Sequence, residues 1–228
     1  MAVLTRNNIV TNGLALYLDA ANRQSYVSGS TSWRDISGNN NTGSLINGPT
    51  FSTLNGGSIN LDGTNDQINI NAIPTSSFSL ISSSFTVNMW VNIQSNDAGF
   101  ISSNQSSTNG GQYAFIRRYG ALGITFYNGA TDIVGNRTLP IGSWVNITHV
   151  HDFSNQSSSI YQQTVLVGAA SMAPSPLITS SSLVLGWFGF GGAFLSGSIA
   201  ITQIYNRALS QAEITQNYNA TKTRFGLT

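Results

Sequence analysis

The chain has 228 residues and 24.2 kDa, of which 40% are hydrophobic, 10% aromatic and only 7% charged, with a formal net charge of +1. That is apolar material enough for a packed core, which excludes a disordered chain, and the absence of a basic run argues against a nucleic-acid binder. No stretch approaches the ~20 apolar residues of a membrane-crossing helix, and the lack of cysteine excludes disulfides and thiolate metal sites.

In chain order, residues 1–12 read as a lead, and residues 13–228 as a single domain with no internal repeat and no dividing linker. GLALYLDA predicts a strand over Leu14–Leu18. The polar segment Asn22–Pro49 is punctuated by Gly, Asn and Pro and reads as turns. Ser58–Leu61 and Gln67–Ile70 are short strands flanking LDGTND, a hairpin-like turn that pairing would require to be longer than the two-residue type. Phe85–Gln94 alternates Phe, Val, Met, Val, Ile on one face against Thr, Asn, Trp, Asn, Gln on the other, the pattern of a half-buried antiparallel strand.

Strands follow at short spacing over Gly99–Ser102, Gln112–Arg118, Leu122–Tyr127, Trp144–Phe153, Ser159–Val167, Leu183–Gly186 and Ser198–Tyr205. Many strands separated by Gly- and Ser-rich turns, without alternating helices, predict an all-β sandwich or barrel rather than a parallel α/β sheet. After a corner at Asn206–Leu209, Ser210-Gln-Ala-Glu213 fits a capping box, in which the Ser and Glu side chains satisfy each other's backbone N–H groups. It starts a short helix whose Glu213 suits the positive end of the dipole, whose Lys222 and Arg224 suit the negative end, and whose Ile214 and Tyr218 share one face.

Several stretches together resemble the concanavalin A-like lectin/glucanase superfamily in its laminin-G-like form. They are GLALYLDAANRQSY, SWRDISGNNNTGSLINGPTF, GGSINLDGTNDQINI, FTVNMWV, WVNITHV and the closing IYNRALSQAEITQNYNATKTRFG. The resemblance is nearest to versions found in structural proteins of tailed phages, cyanophages among them. It implies a jelly roll of two packed antiparallel sheets with one short C-terminal helix and with the chain ends close together. One departure stands out: SSSIYQQTVLVGAASM lacks the family's Asn-Gly turn after the WVNITHV strand, which leaves that hairpin's register open.

The superfamily includes retaining glucanases, which place two carboxyl groups about 5–5.5 Å apart. This chain has one glutamate, Glu213, already used as a cap, and no two of its aspartates alternate on one strand, so it is expected not to be an enzyme. His149 and His151 point to one face of a strand but have no further His or Cys to complete a metal site. No Gly-x-Ser-x-Gly elbow precedes a helix. No cofactor is expected. Asn65 and Asp66 in LDGTND form the beginning of a calcium set of the kind seen in relatives, though calcium takes six to eight oxygens and a self-bonded Asx turn explains the same residues.

The loop GWFGFGGAF is the most suggestive stretch, with Trp187, Phe188 and Phe190 among glycines. Rings of this kind can plug the sandwich, stack on sugars or meet another protein. Arg117, Arg118 and Tyr119 add a second interface-like group. The expectation is a non-catalytic structural or adhesion component of a phage virion (decoration, neck, baseplate or fibre), with virion proteins or further copies of itself as partners in a homo-oligomer. The alternative is a lectin module that binds host or environmental polysaccharide, and the least favoured reading is a glucanase. The start MAVLTRNNIVTNG carries no signal-peptide run, so the location expected is a virion built in a host cytoplasm, with a plain cytoplasmic protein as alternative.

Overall fold

The computed structural model describes residues 8–71, 84–95, 98–103, 114–118, 124–127, 132–171, 182–188 and 193–228. Its strands are β1 (Leu14–Asp19), β2 (Ser32–Trp33), β3 (Gly43–Ile46), β4 (Thr50–Ser52), β5 (Ser58–Asp62), β6 (Gln67–Asn71), β7 (Phe85–Ile93), β8 (Ala98–Ser103) and β9 (Ala114–Arg118). They continue as β10 (Ile124–Tyr127), β11 (Asp132–Val134), β12 (Trp144–Asp152), β13 (Ser157–Gln162), β14 (Val165–Ser171), β15 (Ser182–Leu185), β16 (Trp187–Phe188), β17 (Ala193–Phe194) and β18 (Ser196–Tyr205). The helix α1 (Gln211–Thr221) and a 3₁₀ turn at Lys222–Phe225 close the chain.

Two antiparallel sheets result. The first runs β14-β13-β12-β7-β18-β5-β4, with β1 also paired to β18; the second runs β11-β10-β9-β8-β15-β6-β3-β2. Between them lies one apolar core, in which Val87, Met89, Val91 and Ile93 of β7 meet Ile68, Ile70, Phe100, Ile116 and Leu185 of the second sheet. This is the two-sheet sandwich that the alternation predicts.

β7 is nevertheless buried on both faces, not one. Its outward Trp90 is 0% exposed, covered by Phe225 and Tyr218 of the C-terminal segment. β18 makes room for that cover with a bulge: Ile199 pairs with Val91 and Ile201 with Trp90, so Ala200 and Ile201 both join the outer cluster. The helix starts as its sequence dictates. Ser210 accepts the Glu213 N–H, and Glu213 accepts the Ser210 N–H at 2.9 Å. Ile214 packs on Tyr205 and Val150, while Tyr218 stacks on Trp90.

Four expectations shift once strands are paired. The segment 22–49 is not all turns: β2 and β3 lie in it, and Trp33 is fully buried. β5 and β6 are not partners; β5 belongs to the first sheet and β6 to the second, so LDGTND is a crossover between layers. Ser159–Val167 is two strands, reversed at Gln163, which takes φ 60 and whose N–H donates to the Asn146 carbonyl. Tyr218 donates its hydroxyl to Gln163 Oε1 at 2.9 Å, which holds this non-glycine residue in the left-handed region. Arg224 does not cap the helix; its guanidinium pairs with Asp19 at 2.6 Å and also donates to the carbonyls of Asn55 and Gly57.

The described part of the lead, residues 8–12, is docked on the helix. The Val10 N–H donates to Asn217 Oδ1, and the Val10 carbonyl accepts from the Tyr205 hydroxyl. The two ends of the described chain therefore meet, as the resemblance implies.

Candidate functional site

The second sheet turns Leu45, Ile68, Leu185 and Ile101 inward as one cross-strand row. The neighbouring row, Ser32–Ser44–Asn69–Val184–Ser102, faces outward, because successive residues of a strand point to opposite faces. Three hydroxyls, one amide and one valine thus cross five strands without a charge. Ser32, Ser44 and Asn69 are half-buried, whereas Val184 and Ser102 are buried. The Oδ1 of Asn69 is shielded and has no donor among the described residues. The sequence signal for this face is the amide–isoleucine alternation of QININ in β6, a pattern that by itself predicts a strand and no site.

At Ser102 that face meets β16, the described start of the aromatic stretch. At Gly186 the chain takes φ 84, where a Cβ would collide with Leu61, and doubles back over β8. Ser102 then donates its hydroxyl to the Trp187 carbonyl at 2.7 Å. Gly99 permits the approach, since a Cβ there would lie 2.5 Å from the Phe188 nitrogen. Trp187 pairs with Phe194, their rings 6.2 Å apart, and stays half-buried.

The structure sorts the sequence-predicted residues. Phe188 is not an exposed loop ring; it is buried, with the Arg117 guanidinium 4.8 Å above its ring. Arg117 and Arg118 are likewise buried rather than displayed. Of the group, Trp187 alone is described with partial exposure; Phe190 and Tyr119 lie outside the described residues.

Asn65 and Asp66 sit in the crossover. Asp62 Oδ1 accepts the N–H groups of Thr64, Asn65 and Asp66, and Asp66 Oδ2 accepts that of Asp62 at 3.1 Å. The Thr64 N–H above all holds the Asp62 carboxyl below its usual range, while burial raises that of Asp66. Both carboxylates are thus turned to the backbone of their own loop, the Asx geometry weighed against calcium. Among the described residues no three His, Cys, Asp or Glu side chains gather as a metal set.

Four further carboxylates are also engaged. Asp19 meets Arg224, Asp35 accepts the Tyr17 and Asn41 N–H groups, Asp152 caps its turn through Ser154 and Asn155, and Glu213 is bidentate with Arg207. His149 faces the core edge-on to Phe85, with ring centroids 5.2 Å apart; burial drives its pKa well below the usual value. His151 stacks on the same ring and bonds Ser158 at 2.8 Å.

A double antiparallel sandwich with an uncharged polar outer face and an aromatic flap defines a lectin-like β-sandwich. The chain belongs to the concanavalin A-like lectin/glucanases superfamily, whose Laminin_G_3 family model matches residues 62–215. No curated protein matches it by sequence. Its fold is similar to domain 4 of AbnA, an extracellular arabinanase from Geobacillus stearothermophilus solved with arabinotriose (TM-score 0.67, 16% identity, 90% of this chain and 98% of that one). It is also similar to the binding domain of botulinum neurotoxin DC in complex with SialylT (0.71, 13%, 92% and 52%) and to a Trypanosoma rangeli sialidase (0.69, 12%, 92% and 33%). The chain therefore spans about half of the toxin domain and a third of the sialidase.

Proposed function

We propose that this protein is a non-catalytic carbohydrate-binding module for neutral glycans, which favours the lectin reading over a purely structural one. The observation that carries it is the uncharged row Ser32–Ser44–Asn69–Val184–Ser102, bounded at Ser102 by the half-buried residue Trp187, whose carbonyl takes the Ser102 hydroxyl. Sugars present hydroxyls for directed bonds and C–H faces for rings, and this face supplies both. The sequence supports a binding rather than a hydrolytic role, because no two aspartates alternate on one strand as a carboxyl pair and the one glutamate, Glu213, is held by Arg207 and Ser210. The arabinotriose complex of a similarly folded domain supports the same reading, and the SialylT complex supports glycan binding by such a fold without bearing on neutrality.

The test is a glycan array with wild type, Asn69→Ala and Trp187→Ala, each checked for its melting temperature. Binding to neutral glycans that either variant loses while folded is the expected result. Binding unaffected by both folded variants would place the site elsewhere, and no binding by wild type would reject the module.

A virion location is a separate proposal that rests on the sequence resemblance. A glycan-binding sandwich would serve such a particle as an adhesion surface, alone or as a homo-oligomer. Mass spectrometry of purified particles tests it, and absence of the chain from every particle fraction rejects it.

A further inference from the structure

Among the described residues, the C-terminal segment covers only part of the outer face of the first sheet. α1 and the 3₁₀ turn lie over Trp90, Ala200, Ile201 and Tyr205, and their footprint ends at Phe225, tilted against Trp144 with centroids 4.9 Å apart. Beyond that edge the strand registers align one straight row: Thr50 opposite Asn60, Asn60 opposite Ser198, Ser198 opposite Asn92, and Asn92 opposite Trp144. All five are partly or fully exposed. Four steps between strands make a track about 19 Å long.

The side chains of this row are fixed. Asn60 Oδ1 accepts the Ser198 hydroxyl at 2.7 Å and the Ser58 hydroxyl at 3.4 Å. Asn92 Oδ1 accepts Gln94 Nε2 at 3.0 Å. Trp144 donates its indole N–H to Asn55 Oδ1 at 3.0 Å, which sets the ring's orientation at the end of the row. With both amide oxygens held by the protein, the two Nδ2 groups remain as donors, and neither has a protein acceptor among the described residues. No member of the row is charged; the nearest carboxylate along β5, Asp62, is occupied by its own loop.

We propose that this row is a second glycan-binding track, on the face opposite the first, and that its occupant is an extended neutral polysaccharide. Pre-oriented amide donors lower the ordering cost of binding hydroxyls, and a terminal indole offers a stacking face. Neutrality matches an uncharged chain and gives a protein partner or an acidic polymer no ionic anchor. The strand-to-strand step of about 4.8 Å is close to the repeat of an extended sugar chain. Two tracks on opposite faces would let one molecule bridge two polysaccharide strands.

The experiment titrates ¹⁵N-labelled protein with neutral linear hexasaccharides of arabinan, xylan and β-glucan, follows side-chain amide and indole signals, and measures stoichiometry by calorimetry. Expected are saturable shifts of the Asn60 and Asn92 amides and of the Trp144 indole, with two sites per chain. Asn60→Ala with Asn92→Ala should weaken this second site by roughly tenfold, as the loss of two hydrogen bonds implies, while Asn69→Ala leaves it intact. One site per chain, lost in Asn69→Ala and untouched in the double variant, overturns the second track and spares the proposed function. No saturable binding of any hexasaccharide overturns both. A melting curve for the double variant guards against simple unfolding, and in that event Asn92→Ala alone, whose amide bonds Gln94 and no other described residue, is read in its place.

Discussion

Phe225 stacks on Trp90 with ring centroids 4.0 Å apart and planes 17° apart. A residue 135 positions further along the chain thus seals the centre of the first sheet, where Trp90 is fully buried and donates its indole N–H to Thr221 at 2.9 Å. Replacing Phe225 by Ala should cost about 3 kcal/mol, in the range for deleting a buried aromatic ring. Denaturant unfolding measures it, and native-state tryptophan fluorescence should shift red as Trp90 meets water. An unchanged midpoint would mean that the C-terminal turn does not hold the sheet.

The helix start is a testable unit by itself. Ser210→Ala should cost on the order of 1 kcal/mol, a typical N-cap loss. Its partner gives the acid dependence: the Arg207 hydrogen bonds above all lower the Glu213 carboxyl to about 2 from an ordinary 4.5. A depressed acid contributes stability that is present above 4.5 and is lost as pH falls through about 2. The pair is partly exposed, so its contribution is modest and salt-sensitive. Glu213→Gln should flatten the melting temperature across that window, and an unchanged slope would show the ion pair to be idle.

His149 acts at higher pH. Burial first, and the His151 charge second, keep it neutral in the folded protein, while in the unfolded chain it titrates near 6.5. Below 6.5 the unfolded state therefore binds the extra proton, and stability falls as pH drops. His149→Leu should remove much of this slope and leave the part due to His151. Equal slopes in wild type and variant would mean that His149 is protonated in the fold.

Gly99 is the seat of the aromatic flap. Gly99→Ala forces a Cβ onto the backbone of Phe188 and should destabilise by about 1–3 kcal/mol, as overpacking does. Because Phe188 and Trp187 move together, glycan binding at the Asn69 face should weaken in the folded fraction. A variant of wild-type stability would place the flap away from β8.

The chain by itself determined what depends on near neighbours. β7 announces its core face through five alternating apolar residues, and Ser210 to Glu213 announces the helix start, because strand alternation and capping reach only two to four residues. The tertiary structure decided whatever depends on partners far along the chain. Trp90 reads as an outward residue until Phe225 covers it, and LDGTND reads as a hairpin until β5 and β6 join different sheets. Gln163 could be recognised as a turn residue only once Tyr218 had met it. The same holds for both candidate faces. Aromatic rings marked Trp187 in the sequence, but Asn69, Ser102, Asn60, Asn92 and Trp144 became neighbours through registers that bring together residues as distant as Asn60 and Ser198, a relation set by how whole strands pair and not by any local pattern.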